Sequence, residues 1–355
     1  MTKILVTGGA GYIGSVLIPK LLLDGYEVTC VDNLMYEPTS LMMATINKNF
    51  KLIVGDARDK ELMKPLIEKN DVIIPLACMT GAPLCNKDKV AAASVNKDSV
   101  VMCSELSSQD QLLIYPCTNS GYGIGEEGIF CTEESPLNPI SLYGKLKVEA
   151  ESILLQKGNA ITFRLATVFG ISPRPRLDLL VNDFTYRAYF DKTVVLFEAE
   201  FKRNYLHIED AADGFRFAIK NRNLMGNCFN LGYSEANLSK RELCEEIKKV
   251  IPDFVYLISE IGSDIEDFKN KFSFNEVAIL VRAIFQTREF EERFLKIGVP
   301  YRIIGGIKFY ERAEVKDCVA YLKTVFQPQD DLAFERILNV PKRSIGDTTV
   351  KAINN

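Results

Sequence analysis

The chain begins with Lys3-Ile4-Leu5-Val6-Thr7-Gly8-Gly9-Ala10-Gly11-Tyr12-Ile13-Gly14, an apolar strand that runs directly into a glycine-rich turn. An apolar helical stretch follows at once and contains Pro19, which is expected to kink it. Gly8 permits a tight turn, Gly11 lets a phosphate approach the backbone, and Gly14 lets the helix pack close to the strand. Because a helix N-terminus attracts anions, this stretch predicts a site for a dinucleotide pyrophosphate.

An acidic residue, Asp32, stands at the end of the second apolar run, Tyr26 to Val31. A carboxylate at the tip of the second strand can accept hydrogen bonds from both hydroxyls of the adenosine ribose, and it repels a 2′-phosphate. The combination of strand, glycines, helix and acid therefore predicts NAD rather than NADP as the cofactor. The alternative is a purely structural turn with a solvated Asp32.

Composition restricts the class of protein. The 355 residues carry a net charge of −4, nine scattered cysteines without a C-x-x-C pair, and one histidine, His207. These features argue against a global nucleic-acid surface, a disulfide framework and a histidine-based metal site, and no metal is expected. The first residues read as a strand rather than a leader, and no long uncharged apolar run follows. We expect a cytoplasmic protein without a membrane segment.

Strand-like and helical patterns alternate from residue 1 to about 170, which predicts an α/β fold. The near-continuous apolar strands favour a Rossmann-type, doubly wound parallel sheet over residues 1–170, which would bind NAD. Residues 171–264 predict a small substrate lobe with segments that return to the first domain. The predicted strands are 3–7, 27–31, 51–54, 71–77, 111–116, 160–165 and 228–231, and the predicted helices are 15–24, 60–69, 141–156, 208–220 and 239–250.

Tyr143 and Lys147 are spaced so that both side chains lie on one face of a helix. A free tyrosine titrates near 10, so using it as a base near pH 7 requires about 4 kcal/mol of differential stabilisation. A lysine ammonium one turn away supplies part of that, and an oxidised nicotinamide adds more positive charge. We interpret Tyr143 as a catalytic base and Lys147 as its partner. The alternative is a surface Tyr and Lys on an amphipathic helix.

A third group of polar residues, Pro116 to Gly123, follows the strand predicted at 111–116. Ligands of open α/β sheets bind at the carboxyl ends of the strands, so hydroxyls here can reach a substrate oxygen. We expect Thr118 to hold the reacting hydroxyl and Ser120 to assist it. The alternative is an ordinary turn rich in Ser, Asn and Gly.

Taken together, residues 1–264 resemble an extended short-chain dehydrogenase/reductase of the NAD-dependent nucleotide-sugar epimerase/dehydratase type. The matching stretches are Thr7–Gly14, Asp32–Leu34, Gly55–Asp59, Leu76–Cys78, Thr118–Gly123, Tyr143–Lys147 and Arg203–Asp210. The resemblance implies catalysis by Tyr143, Lys147 and Thr118. It implies cofactor contacts by Gly8, Gly11, Tyr12, Ile13, Gly14, Asp32, Asn33, Asp56, Ala57, Leu76, Ala77, Asn96, Tyr143 and Lys147. It implies substrate contacts by Thr118, Ser120, Asn182 and Arg203, with Arg203 on a substrate phosphate. It also implies that Asp56 reaches the adenine and that Asn96 lies beside the nicotinamide half of the cofactor.

The resemblance also implies a reaction and a partner. Tyr143, as phenolate, would take the proton of a sugar hydroxyl while hydride leaves the same carbon for NAD⁺. The keto sugar would then be reduced again on its other face or eliminate water. His207 corresponds to a structural histidine of the family, and a homodimer formed through helices near residues 100 and 150 is expected.

The resemblance to this family stops near residue 264. After a joint at 265–271, residues 272–355 resemble a fragment of the C-terminal region of UvrD-type DNA helicases, an α/β appendage. The matching stretches are Val277–Arg282, Gln286–Arg288, Gly298–Arg302, Gly305-Gly306, Phe309–Asp317 and Asn339–Arg343. The resemblance gives Arg282 a role in sensing the ATP γ-phosphate. Because these residues include no G-x-x-x-x-G-K-[ST], we expect no ATP-driven unwinding by this chain.

Three interpretations follow from the sequence. The first is an NAD-dependent nucleotide-sugar epimerase or dehydratase with a foreign C-terminal segment. The second is an NAD-binding protein that does not turn over, because its substrate lobe is truncated. The third is a protein that contacts DNA through residues 272–355. The abrupt change of pattern near 264–272 is typical of either a gene fusion or an error in assembling the sequence.

Overall fold

The structure, a computed structural model, describes residues 1–36, 38–124, 130–259, 290–291, 294, 300–304, 313–326, 331–341 and 343. The chain divides into two compact units, Met1–Ile258 and Ser259–Asn355. The predicted joint at 265–271 and the predicted γ-phosphate sensor Arg282 lie outside the described residues.

The described elements of the first unit follow one another as strands, helices and short turns. The strands are β1 (Lys3–Thr7), β2 (Glu27–Asp32), β3 (Phe50–Val54), β4 (Val72–Pro75), β5 (Leu112–Thr118), β6 (Ala160–Leu165), β7 (Thr167–Phe169), β8 (Thr193–Phe197), β9 (Lys202–His207), β10 (Asn227–Leu231), β11 (Asn237–Ser239) and β12 (Val255–Ser259). The helices are α1 (Gly14–Leu23), α2 (Lys60–Glu68), α3 (Ala82–Lys87), α4 (Lys89–Ala93), α5 (Ser99–Leu106), α6 (Leu142–Lys157), α7 (Leu180–Phe190), α8 (Ile208–Lys220) and α9 (Lys240–Val250).

The central sheet of the first unit has seven parallel strands in the order β10-β6-β5-β4-β1-β2-β3. The strand order reverses at β1, where the chain runs outward to β2 and β3 and then returns to β4 on the other side. Open α/β sheets bind ligands at this switch point, at the carboxyl ends of the strands. The predicted α/β class with a Rossmann-type parallel sheet is confirmed.

Helices cover both faces of the sheet, which explains its apolar strands. On one face, α1 and α8 bury Leu17, Ile18 and Phe215, and on the other, α2 and α6 bury Met63 and Leu154. Fully burying one such side chain contributes about 1.5–3 kcal/mol. The helix α1 continues through Pro19 to Leu23, so the proline does not end it.

The region predicted to form the substrate lobe has a small core of its own. A three-stranded sheet, β11-β9-β7, and the pair β12-β8 lie with α7 and α9 around Phe184, Leu196, Leu243 and Phe254. The helix α9 begins with a capping box in which Ser239 and Glu242 each accept a backbone N–H of the other. Residues as far as Phe254 therefore contribute to this core.

Two helices are described in the second unit, α10 (Ala313–Phe326) and α11 (Asp331–Ile337). Their contact buries Ala320, Ala333 and Ile337. Arg343 donates from Nη1 to the carbonyl oxygen of Leu338 at 3.0 Å and so fixes the segment after α11. Across the described parts of both units, no helix is both long and apolar enough to cross a membrane.

Candidate active site

The glycine turn after β1 has the geometry of a backbone cradle. Gly8 has a φ of +69°, and a Cβ placed on it would lie 2.5 Å from the backbone nitrogen of Ala77. A Cβ on Gly14 would lie 2.5 Å from the Cα of Gly9. In the described part of the chain, the N–H groups of Tyr12 and Ile13 donate to no protein acceptor. These donors at the start of α1 fit the phosphates of a dinucleotide.

Asp32 lies at the tip of β2, where the sequence predicts the ribose contact. Its Oδ2 accepts the N–H of Ala10 at 2.9 Å, and its Oδ1 accepts the N–H of Leu34 at 2.8 Å. A carboxylate oxygen can accept about two hydrogen bonds, so each oxygen keeps a site for a ligand hydroxyl. The residues of the turn and of β2 therefore fit NAD.

Tyr12 and Asn182 connect this turn to the loop after β7. The Tyr12 hydroxyl donates to the carbonyl oxygen of Gly170 at 2.8 Å and accepts from Nδ2 of Asn182 at 3.2 Å. Asn182 also accepts the N–H of Gly170 at 2.9 Å and donates to the carbonyl oxygen of Arg176 at 2.9 Å. Asn182 thus holds this loop, and its predicted substrate contact stays a prediction.

The end of β4 lies against the glycine turn. The N–H groups of Leu76 and Ala77 donate to the carbonyl and hydroxyl oxygens of Thr7, at 2.9 and 3.3 Å. Asn96, buried in the π-helical turn Ser94–Asp98, holds Met79, two residues after Ala77. It accepts the Met79 N–H at 2.7 Å and donates to the Met79 carbonyl oxygen at 2.9 Å. Its amide thereby orients the loop that borders the predicted nicotinamide half.

The predicted adenine side is more exposed. Asp56 accepts from the guanidinium of Arg58 at 2.5 Å, and this pairing lowers the pKa of its carboxyl below the ordinary value. Asn33 accepts the N–H of Met35 at 3.2 Å, and Ala57 is buried. The adenine contact of Asp56 and the cofactor contacts of Asn33 and Ala57 stay predictions.

Tyr143 and Lys147 lie one turn apart in the first half of α6, which Ser141 caps by accepting the N–H of Gly144 at 3.1 Å. Lys147 is only 3% exposed. Its ammonium lies 4.3 Å from the ring centroid of Tyr115. Within the described residues, no carboxylate forms an ion pair with Lys147. A buried ammonium without a counter-charge fits the hydroxyls of a nicotinamide ribose.

Tyr143 packs against a small apolar cluster formed by Cys85, Ala92 and Leu146, and Met79 packs against the same cluster. Burial raises the pKa of Tyr143 well above its ordinary value, Cys78, Cys117 and Cys85 raise it further, and the charge of Arg176 lowers it. The phenol is therefore protonated at neutral pH in the chain alone. The expected lowering of its pKa by Lys147 stays a prediction for the NAD-bound chain.

Thr118 ends β5 and is buried beside this group. Its Oγ1 accepts the N–H of Ser120 at 3.2 Å and caps the short 3₁₀ turn Asn119–Tyr122. A hydroxyl that accepts this bond still has its proton and a second lone pair for a substrate. Ser120 itself is exposed. Their substrate contacts stay predictions.

Arg203 and His207 lie at opposite ends of β9. Arg203 is exposed, with its guanidinium 5.6 Å from the ring centroid of Phe201, and its predicted phosphate contact stays a prediction. His207 caps α8 by accepting the N–H of Glu209 at 3.4 Å, and its ring packs edge-on against Phe169. This is the structural role that the resemblance implied for His207.

One charged residue near Tyr143 was not among the predicted site residues. Arg176 lies in the loop between β7 and α7, donates to Thr80 Oγ1 at 2.8 Å, and forms an ion pair with Asp178. The sequence signal was the run Pro173-Arg174-Pro175-Arg176-Leu177-Asp178. Such a run is typical of an exposed loop, and only the fold brings it to Tyr143.

The comparisons with known proteins agree with this geometry. Residues 4–232 match the NAD dependent epimerase/dehydratase family. A UDP-glucuronic acid 4-epimerase from Bacillus cereus, solved with UDP-glucuronic acid and NAD, is 25% identical over 73% of this chain and 85% of that one, with a TM-score of 0.64. A UDP-glucose 4-epimerase from Thermotoga maritima is 24% identical over 74% of this chain and 87% of that one, with a TM-score of 0.65.

The chain therefore belongs to the NAD dependent epimerase/dehydratase family. The prediction of NAD as cofactor is confirmed at the level of this family. Residues 238–355 match a second family, the UvrD-like helicase C-terminal domain. A probable DNA helicase II homolog from Rickettsia conorii is 47% identical over 98 residues, which are 28% of this chain and 15% of that protein. The predicted fusion of these two families is confirmed.

Proposed function

We propose that the first unit is an NAD-dependent nucleotide-sugar epimerase or dehydratase that works by transient hydride transfer to bound NAD. The observation that carries the proposal is the buried Lys147 ammonium on the same helix as Tyr143, one turn away. It lies against the ring of Tyr115 on β5, which belongs to the same sheet as β1 and β2, the strands that lead to the glycine turn and to Asp32. Burying an ammonium without a carboxylate partner costs folding free energy, so a purely structural role does not explain Lys147 at this position.

Bound NAD would supply the hydride acceptor, and the chain would supply the positioning and the proton transfer. Thr118 would orient the sugar hydroxyl, and Tyr143 would take the proton from its oxygen while the carbon–hydrogen bond breaks. Lys147 would hold the nicotinamide ribose and stabilise the phenolate. Since burial raises the pKa of Tyr143 in the chain alone, cofactor and lysine charges must act together before it can serve as a base.

The test incubates the full chain, saturated with NAD, with a panel of UDP- and dTDP-linked sugars and follows the products by NMR. We expect conversion of at least one sugar. Tyr143→Phe should abolish that conversion and still bind NAD, because the hydroxyl is the group that moves the proton. The matched control is Tyr189→Phe, at a tyrosine that is 60% exposed on α7. Conversion that survives in Tyr143→Phe would contradict the assigned base.

A second candidate is an NAD-binding protein without turnover. It is supported by the end of the epimerase family match at residue 232 and by exposed apolar residues, Val255, Leu257 and Ile258, on β12. Tight NAD binding with no conversion on the whole panel would favour it.

A third candidate is DNA contact through the second unit. Its support is the helicase family match, although the chain spans only 15% and 11% of the lengths of the helicases from Rickettsia conorii and Bacillus subtilis. Binding that involves phosphates weakens steeply as salt is added. Salt-sensitive binding of single-stranded DNA would favour this candidate, and none at low salt would eliminate it.

A further inference from the structure

Arg176 is a mostly buried cation with an exposed partner. Its side chain is 16% exposed, whereas that of Asp178 is 64% exposed. The guanidinium donates from Nε to Asp178 Oδ1 at 2.7 Å and from Nη2 to Asp178 Oδ2 at 2.5 Å. Its Nη1 donates to Thr80 Oγ1 at 2.8 Å. The arginine is thus fixed by the protein, while its counter-ion faces solvent.

The guanidinium stands at the reacting end of the site. Thr80, which accepts from Arg176, directly follows Met79, and Met79 packs against the same apolar cluster as Tyr143. The charge of Arg176 acts on both groups, since it lowers the pKa of Tyr143 and of Cys78. Asn182 holds the Arg176 carbonyl oxygen at 2.9 Å, so the backbone is anchored as well.

The donor count leaves room for a ligand. A guanidinium carries five N–H donors, and the described contacts of Arg176 use three of them. A ligand carboxylate could also take the place of Asp178, which would swing into solvent. This exchange keeps the buried guanidinium paired, and its bidentate geometry suits either carboxylate. A neutral sugar offers no counter-charge, so Asp178 would remain in place.

We propose that Arg176 is a specificity residue that binds a carboxylate on the sugar ring, so that nucleotide-linked sugar acids are the preferred substrates. This inference rests on the proposed nucleotide-sugar function. The carboxylate belongs to the sugar rather than to the diphosphate bridge, because Arg176 is anchored at Thr80, next to Met79, and Met79 packs against the same apolar cluster as Tyr143, where the sugar carbon reacts.

The test measures binding to the NAD-saturated full chain by calorimetry with UDP-glucuronate and UDP-glucose, which differ only at C6. We expect the wild-type chain to bind the acid more tightly. Arg176→Gln should weaken UDP-glucuronate binding by about tenfold or more, the size of a charge-assisted pair, and leave UDP-glucose within about twofold. Asp178→Asn should strengthen UDP-glucuronate binding, because it removes the competing carboxylate. The matched control is Arg187→Gln, at a second arginine of the lobe that pairs with Asp183.

Each outcome decides something. Equal losses for both ligands in Arg176→Gln would place the arginine on the diphosphate and overturn the proposal. Weaker binding of UDP-glucuronate by Asp178→Asn would also overturn the proposal. If Arg176→Gln fails to fold, Asp178→Asn still provides a test. If wild-type chain binds UDP-glucose as tightly as UDP-glucuronate, only this inference fails. If it binds neither, this inference fails, and the proposed function fails as well only if the whole panel of nucleotide-linked sugars is left unconverted.

Discussion

Replacing Gly8 with alanine tests whether the backbone of Ala77 lies so close to the glycine turn that position 8 cannot carry a side chain. Gly8 has a φ of +69°, and the left-handed region costs a non-glycine residue about 1–2 kcal/mol. The added Cβ would also lie 2.5 Å from the nitrogen and 2.6 Å from the Cα of Ala77. Relieving such overlap in a packed site costs about 1–3 kcal/mol. We therefore expect a total loss of about 2–5 kcal/mol in the free energy of unfolding.

Gly25 offers a matched control for the backbone contribution. It has a φ of +84°, and a Cβ placed on it meets nothing within 4 Å. Gly25→Ala should therefore lower the free energy of unfolding by only about 1–2 kcal/mol, from the positive φ alone. The difference between the two variants isolates the close approach of Gly8 to Ala77.

The assay combines urea unfolding, followed by circular dichroism, with calorimetric titration of NAD into the full chain. Because the turn must move to accommodate the Cβ at Gly8, Gly8→Ala should weaken NAD binding by about tenfold or more, which corresponds to about 1.4 kcal/mol. Gly25→Ala should leave NAD binding unchanged. Equal unfolding losses in both variants, or normal NAD affinity in Gly8→Ala, would refute the reasoning.

Three other predictions concern charged groups. Asp32→Asn should raise the affinity for NADP relative to NAD by about tenfold, measured by titration, because the repulsion of the 2′-phosphate is lost; an unchanged ratio would contradict this role. Glu151→Ala should lower the free energy of unfolding by about 3–5 kcal/mol, because it leaves the buried Arg164 guanidinium without its carboxylate partner. In the wild-type chain Arg164 Nη2 lies 2.9 Å from Glu151 Oε2, and a measured loss below about 1 kcal/mol would contradict this role. The bidentate contact with Arg216 lowers the pKa of Asp24 in the folded protein. The pair therefore stabilises the fold at pH values above the unfolded pKa of an aspartate, near 4, and this stabilisation is lost as the pH falls through the pKa of Asp24 in the folded protein. Asp24→Asn should therefore be less stable than wild type by about 1 kcal/mol at pH 7, and the difference should disappear as the pH falls through the folded pKa of Asp24, measured by urea unfolding at a series of pH values.

Local sequence signals predicted the central sheet well because each signal is complete within a few residues. The strand predicted at 160–165 is observed as Ala160–Leu165, and that predicted at 27–31 ends one residue later, at Asp32. Apolar runs of this kind are buried on both faces, so periodicity and flanking glycines suffice. The pattern was least informative at Pro19, because the surrounding apolar face keeps α1 helical through the proline.

The site was predictable only in part, since residues far apart in the chain determine what each side chain contacts. The predicted ligand contacts of Asn96 and Asn182 stay predictions, and their amides also hold Met79, Gly170 and Arg176, which no local pattern could predict. Arg176 escaped prediction because its proximity to Tyr143 depends on the path of the loop after β7. The sequence shows which hydrogen bonds an amide or a guanidinium can form, but only the tertiary fold determines which acceptor lies within reach.

The apolar core of the predicted substrate lobe is relevant to whether this chain can turn over a substrate. The helicase family match begins at residue 238, but α9 buries Leu243, Cys244 and Ile247 against the lobe. Together with Phe254, which is fully buried, these residues complete an apolar core on the epimerase side of the boundary at Ile258. A lobe with a closed core can hold α7 and the preceding loop in place. If turnover is lost in this chain, the cause must therefore be missing contacts to the substrate rather than an unfolded lobe, and sugar-nucleotide binding measures that difference directly.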